Sequence, residues 1–131
     1  MICDEWLGGE NIVTSYQELI VWKKAVNLVV LTYRLVKLLP KEETFALSNQ
    51  MRRAAVSIPS NIAEGQSRNS TREFAKFLSI VKGSNAELQT QCIICVHLSF
   101  ITPEQAQPLL DLSGEVGRML NSLLAKLTTN H

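Results

Sequence analysis

The sequence predicts an all-α fold, an antiparallel up-down-up-down four-helix bundle. Three observations carry that expectation. Apolar residues recur every three to four positions through four long segments. Strong stop and start signals, Pro40, Gly65 and Thr102-Pro103, separate those segments. No stretch alternates apolar and polar residues as an exposed strand would. The connections are short, which favours antiparallel neighbours.

Residues 1–15 show no clear period and include Gly8-Gly9, so they read as an N-terminal tail preceding a single domain over residues 16–131. The first helix begins at Tyr16 and repeats Leu19, Trp22, Val26, Val29, Tyr33 and Val36. It stops before Pro40, because proline disfavours helix in the residue ahead of it. Glu42 and Glu43 sit where a second helix would start, favourably placed for its dipole. That helix carries Leu47, Met51, Ala54, Ile58 and Ile62 and ends near Gly65, a natural C-terminal cap. Ser70 and Glu73 have the spacing of a capping box for the third helix. Its apolar face holds Phe74, Phe77, Val81, Leu88 and Cys92. Thr102-Pro103-Glu104-Gln105 is the sharpest start signal in the chain, with a hydroxyl cap, a proline in the first turn and Gln three residues on. The fourth helix runs through Leu109, Leu112, Val116, Leu120, Leu123 and Leu127.

The chain of 131 residues can bury a sizeable core in one domain. With 46% hydrophobic and 19% charged residues it is globular rather than disordered. Three cysteines do not build a disulfide framework. No segment has the pattern of a signal peptide, and none is apolar enough to span a bilayer, so a soluble, cytoplasmic protein is expected. The net charge of +1 hides an asymmetry. Residues Lys23 to Lys82 carry a balance of +7 and the rest of the chain −6. Such a split marks either a surface for an anionic partner or two halves that attract across the bundle.

Two helices have more apolar surface than a lone bundle needs. On the third helix a second face holds Ile80, Gly83, Ile94 and Leu98. On the first, the charged arc of Lys23, Lys24, Asn27, Arg34 and Lys37 is narrow, and Ile20, Val21, Leu28, Leu31 and Leu35 extend the apolar surface beyond one stripe. The excess needs cover, and the expected cover is a second copy, giving a homo-oligomer. The alternative cover is the N-terminal tail.

The stretch MRRAAVSIPSNIAEGQSRNSTREF, Met51 to Phe74, carries the densest polar chemistry. On a helix, Arg53, Ser57, Ser60, Asn61 and Glu64 share one side, opposite Met51, Ala55, Ile58 and Ile62. Pro59 removes the partner of the Ala55 carbonyl and should kink helix 2, with Ser57, Ser60 and Asn61 placed to repair the break. On helix 3, Ser84, Glu87 and Gln91 form a second polar group beside Gly83, whose small bulk lets another helix approach. Two readings follow. In one, Arg52 or Arg53 meets Glu64 or Glu87 in a polar network within or between subunits. In the other, Arg52, Arg53, Arg68 and Arg72 donate to phosphate, with Arg68 and Arg72 the more exposed pair.

YQELIVWKKAVNLV, LSNQMRRAAVSIPSNIAEG, STREFAKFLSIVKGSNAELQTQ and ITPEQAQPLLDLSGEVGRMLNSLLAKL together resemble a four-helix-bundle family, the proteins encoded in intervening sequences of large-subunit ribosomal RNA genes. The resemblance covers about Tyr16 to Leu127. It implies a bacterial cytosolic protein, an antiparallel bundle, a five-fold ring and no enzyme activity. Its motif positions here are Arg52, Arg53, Ser57, Pro59, Asn61, Glu64, Gly65, Gly83, Ser84 and Glu87. A related group, the accessory variability determinants of diversity-generating retroelements, forms basic pentameric barrels that bind nucleic acid and a reverse transcriptase. The near-neutral charge of this chain departs from that pattern.

Other chemistry is set aside. Cys92-Ile-Ile-Cys95 lies late in a helix on its apolar face, unlike a redox pair, and reads as core. A zinc site would have only Cys3, His97 and His131 to add. Trp6, Trp22 and Tyr33 could stack on bases, but Trp22 and Tyr33 lie in an apolar stripe and read as core. No phosphate-binding loop, nucleophile elbow or dinucleotide fingerprint occurs, and no cofactor is expected. Two functions remain. One is a non-enzymatic nucleic-acid-binding oligomer using Lys23, Lys24, Arg34, Lys37 and the four arginines, RNA or DNA being its ligand and a reverse transcriptase its partner. The other is a protein-interaction scaffold without nucleic-acid affinity.

Overall fold

A computed structural model describes residues 16–129. The expected tail, with Cys3 and Trp6, and the terminal His131 lie outside the described residues. Four helices follow in order: α1 (Tyr16–Val36), α2 (Leu47–Gln66), α3 (Thr71–His97) and α4 (Pro103–Thr129). Each packs on its sequence neighbours, and α1 closes the ring against α4. The result is the antiparallel four-helix bundle. Its core is filled by Leu28, Met51, Ile58, Ile62, Leu78, Leu88, Leu109 and Leu120, all fully buried.

The start of α2 differs from the expectation. Glu42 and Glu43 belong to a separate 3-10 turn, Lys41–Glu43, and the helix begins only at Leu47. Ala46, at the cap position, has φ −122° and ψ −107° and offers no side chain to the helix. Glu43 supplies the missing acceptor, its Oε1 receiving the Leu47 N–H at 3.3 Å. A carboxylate four residues ahead of the helix replaces the usual cap residue, so the sequence shows no break at Ala46.

The other termini follow the code. The Ser70 hydroxyl accepts the Glu73 N–H at 3.2 Å. At Thr102 the capping box is reciprocal: Oγ1 accepts from Gln105 N at 3.0 Å, and Gln105 Oε1 accepts from Thr102 N at 2.9 Å. α2 runs uninterrupted through Pro59. On either side of the proline, Ser57 Oγ donates to the Ala54 carbonyl and Asn61 Nδ2 to the Ser57 carbonyl, each at 2.8 Å.

Gly65 is not the expected cap. It is buried within the last turn of α2, and the left-handed residue of the following loop is Asn69 at φ 56°. What Gly65 supplies is the absence of a side chain. A Cβ there would lie 2.6 Å from Phe77 Cβ and 3.0 Å from Phe74 Cδ1, so α2 and α3 cross at near-backbone contact.

A polar clasp joins α3 and α4 in the core. Asn85 on α3 donates through Nδ2 to the Ser113 carbonyl on α4 at 3.0 Å, and Ser113 Oγ donates back to Asn85 Oδ1 at 2.6 Å. Both residues are buried. Asn85→Ala strands the Ser113 hydroxyl and is expected to cost about 1–3 kcal/mol by urea denaturation. Asn85→Leu with Ser113→Ala removes both polar partners together and should recover most of that loss. A single variant as stable as the parent would show that the clasp contributes nothing.

Cys92 and Cys95 are buried free thiols, and Cys95 Sγ lies 3.6 Å from Met51 Sδ. Burial pushes both up to about 11; the charge of Cys95 adds to the effect on Cys92, and that of Glu43 to the effect on Cys95. They are therefore protonated at neutral pH and poor nucleophiles. In the folded protein both should resist iodoacetamide and react once denatured, as peptide mass mapping would read. Rapid native modification would contradict the buried placement. No helix among the described residues is long and apolar enough to cross a membrane.

Candidate nucleic-acid interface

The face of α1 that meets the core is only partly the one expected: Val36 is buried, and Trp22 and Val29 pack half-buried against the core. Val21, Ala25, Leu28, Thr32 and Leu35 are buried, whereas Tyr33, expected in the core, is 43% exposed. α1 carries two apolar stripes, and its neighbours α2 and α4 cover the Val21–Leu28–Leu35 stripe. Tyr33 is left on the outer surface beside α2, with the guanidinium carbon of Arg52 6.0 Å from its ring centroid. That distance suits a cation–π contact. Arg52 Nη2 also donates to the Thr44 carbonyl at 3.1 Å, which holds the side chain over the ring.

Three open hollows adjoin Tyr33. One, of about 400 Å³, is lined by Tyr33, Asn49, Arg52, Arg53, Val56 and Ser57. A second includes Lys37, Lys41, Thr44 and Ser48. A third is bounded by Val30, Arg34 and Lys37. No described carboxylate lines any of them. Five cations thus line the hollows that adjoin one accessible aromatic ring.

The remaining candidates fall elsewhere. Lys23 is exposed on α1. Lys24 reaches across to α4, where Nζ lies 2.9 Å from Glu115 Oε2. This pair supports the reading in which the basic and acidic parts attract across the bundle, although half-exposed pairs contribute only about 0.2–1 kcal/mol. Arg68 follows the end of α2 and Arg72 opens α3. Both lie about 20 Å or more along the bundle from Arg53. Arg68 Nη2 is 2.8 Å from Glu64 Oε2, and its guanidinium carbon lies 5.1 Å from the Phe77 ring centroid. Its charge is therefore partly answered locally. Arg72 is exposed.

Within the chain, the expected network of Arg52 or Arg53 with Glu64 or Glu87 does not form. Glu64 takes Arg68 one turn onward. Arg53 is eleven residues from Glu64 on the same helix, roughly 16 Å away and beyond side-chain reach. Glu87 is exposed on the outside of α3, and Gly83 has open space around it. Of the polar group expected there, Gln91 is buried with its Oε1 unpaired, while Ser84 is half-buried. Ile80, Ile94 and Leu98, the expected second apolar face of α3, remain 41–53% exposed. Reading by sequence missed Lys41 and Asn49 and set Tyr33 aside. The available signal was the placement of Tyr33 next to Arg34 and one turn before Lys37.

Comparison with known proteins fits this architecture. A solved structure from Bacteroides thetaiotaomicron VPI-5482, a protein of unknown function from the S23 ribosomal protein family, superimposes with a TM-score of 0.77. It is 26% identical, and the match covers 83% of this chain and 98% of that one. No curated protein sequence matches the chain. The family model described as 23S rRNA-intervening sequence protein matches residues 17–122, which takes in all of α2 and α3 and most of α1 and α4. With most of its length matched and the same fold in its solved neighbour, this chain belongs to the 23S rRNA-intervening sequence protein family.

Proposed function

We propose that this protein is a non-enzymatic, homo-oligomeric nucleic-acid-binding accessory protein of the cytoplasm, assembled as a five-membered ring. The observation that carries the reading is the set of Lys37, Lys41, Arg52 and Arg53 in the hollows beside Tyr33, whose linings hold no carboxylate. Cations supply phosphate contacts and an accessible ring supplies stacking, the two components of sequence-tolerant binding. The family name links its members to 23S rRNA, which makes structured RNA the first ligand to try. A reverse transcriptase as partner rests on the resemblance to the retroelement accessory proteins. Self-assembly is supported by the apolar surface left on α3 by Ile80, Ile94 and Leu98. That same surface favours the second reading, a scaffold for another protein without nucleic-acid affinity.

The test is titration of nuclease-treated protein with labelled structured RNA and duplex DNA across a salt series, with light scattering on the same samples. Log affinity should fall linearly with log salt, the slope counting displaced counterions. An assembled protein that binds neither ligand at low salt would sink the nucleic-acid reading and leave the scaffold.

A further inference from the structure

Phe45 is the most exposed large apolar residue described, at 92%. It projects from the turn between the 3-10 segment and α2, held by the Ala46 N–H to Glu43 carbonyl bond at 3.0 Å. Among the described residues this ring has almost no cover. Elsewhere, an open apolar hollow of about 190 Å³ lies between α1 and α4. Leu31, Leu35, Leu38, Pro108 and Leu109 wall it, and Arg34 stands on its rim. An apolar cavity of about 150 Å³ is already enough to take up benzene, so a phenyl ring fits this one.

The charges around knob and hollow are complementary. Glu42 stands three residues before Phe45, is exposed, and forms no ion pair among the described residues. Arg34, on the rim of the hollow, is likewise exposed and without an ion pair among them. The start of α2 and the α1–α4 groove lie on different sides of α1, since α1 packs between α2 and α4.

We propose that Phe45 of one copy inserts into the Leu31–Leu38–Pro108 hollow of the next, with Glu42 meeting Arg34. The proposal rests on the reading that the chain self-associates, and it adds a contact separate from the apolar surface of α3. Knob and hollow are different patches, so the contact is head-to-tail, and it builds a ring where the rotation closes. A buried aromatic anchor in a fitted pocket is the kind of residue that dominates association.

The experiment is sedimentation velocity on the full chain, wild type, Phe45→Ala and Leu38→Glu, with circular dichroism to confirm the fold. Both substituted positions are exposed, so the bundle should melt unchanged. The wild type should sediment as an oligomer. Each variant alone should weaken self-association at least about 30-fold. Mixing the two should give heterodimers, because Leu38→Glu keeps its knob and Phe45→Ala keeps its hollow. An oligomer that survives Phe45→Ala, or a mixture that stays monomeric, overturns the knob-in-hollow contact while self-association stands. A monomeric wild type overturns both.

Discussion

Gly65→Ala is expected to lower the stability of the bundle by about 1–2 kcal/mol, with a melting temperature lower by roughly 4–10 °C. Two effects oppose one another. Alanine is the better helix former by about 0.5–1 kcal/mol. Against that, the new Cβ would sit 2.6 Å from Phe77 Cβ. That atom is next to the α3 backbone and cannot swing away as a side-chain tip could, so α2 and α3 must separate. Overpacking of this kind costs about 1–3 kcal/mol and outweighs the propensity gain. Gly83→Ala is the control. Nothing of its own chain among the described residues lies within 4 Å of the position, so in the dissociated protomer the propensity term acts alone and stability should rise by about 0.5–1 kcal/mol. Thermal denaturation of the two variants reads opposite signs from one substitution. A Gly65→Ala protein that melts at or above the parent would mean that the crossing tolerates separation.

Neutralising Lys37, Lys41 and Arg53 together by glutamine should reduce the slope of log affinity against log salt for duplex DNA by about 2.7, and weaken binding on the order of 100-fold near 0.1 M salt. All three are exposed and none forms an ion pair among the described residues, so the fold should tolerate the change. Arg72→Gln, at the far end of the bundle, should leave the slope unchanged, against a loss of about 0.9 if Arg72 held a phosphate. Tyr33→Leu should leave the duplex slope intact and weaken single-stranded RNA by about 1–3 kcal/mol, the usual loss when a stacked base is released. Equal losses from Arg72→Gln and the triple variant would move the interface away from Tyr33. A triple variant that binds with the parent's slope would remove these cations from the interface altogether.

How legible each feature was depended on whether its cause was local. The capping box at Thr102 and Gln105 was visible because both partners lie within four residues and bond each other. The second face of α3 was visible because Ile80, Ile94 and Leu98 follow the helical period, and they do remain exposed. Tyr33 was misplaced for the opposite reason. Its stripe and the Val21–Leu28–Leu35 stripe have the same period, and composition does not decide between them. The clasp of Asn85 and Ser113 spans 28 residues and leaves no mark in either local pattern. Gly65 was recognised as special, but its cause was read as a helix cap when it was a neighbour's bulk.

The sequence by itself determined the four helices, their order and their antiparallel course, because periodicity, caps and short loops act over a few residues. It also determined that apolar surface would be left over. Only the tertiary structure decided which stripe of α1 is core, where Gly65 meets Phe77, that Arg68 rather than Arg53 takes Glu64, and that Tyr33 stands among cations. Each of these depends on which helix lies against which and in what rotation. That choice is settled by packing all four helices at once, since a helix with two apolar stripes can bury either one until its neighbours are in place.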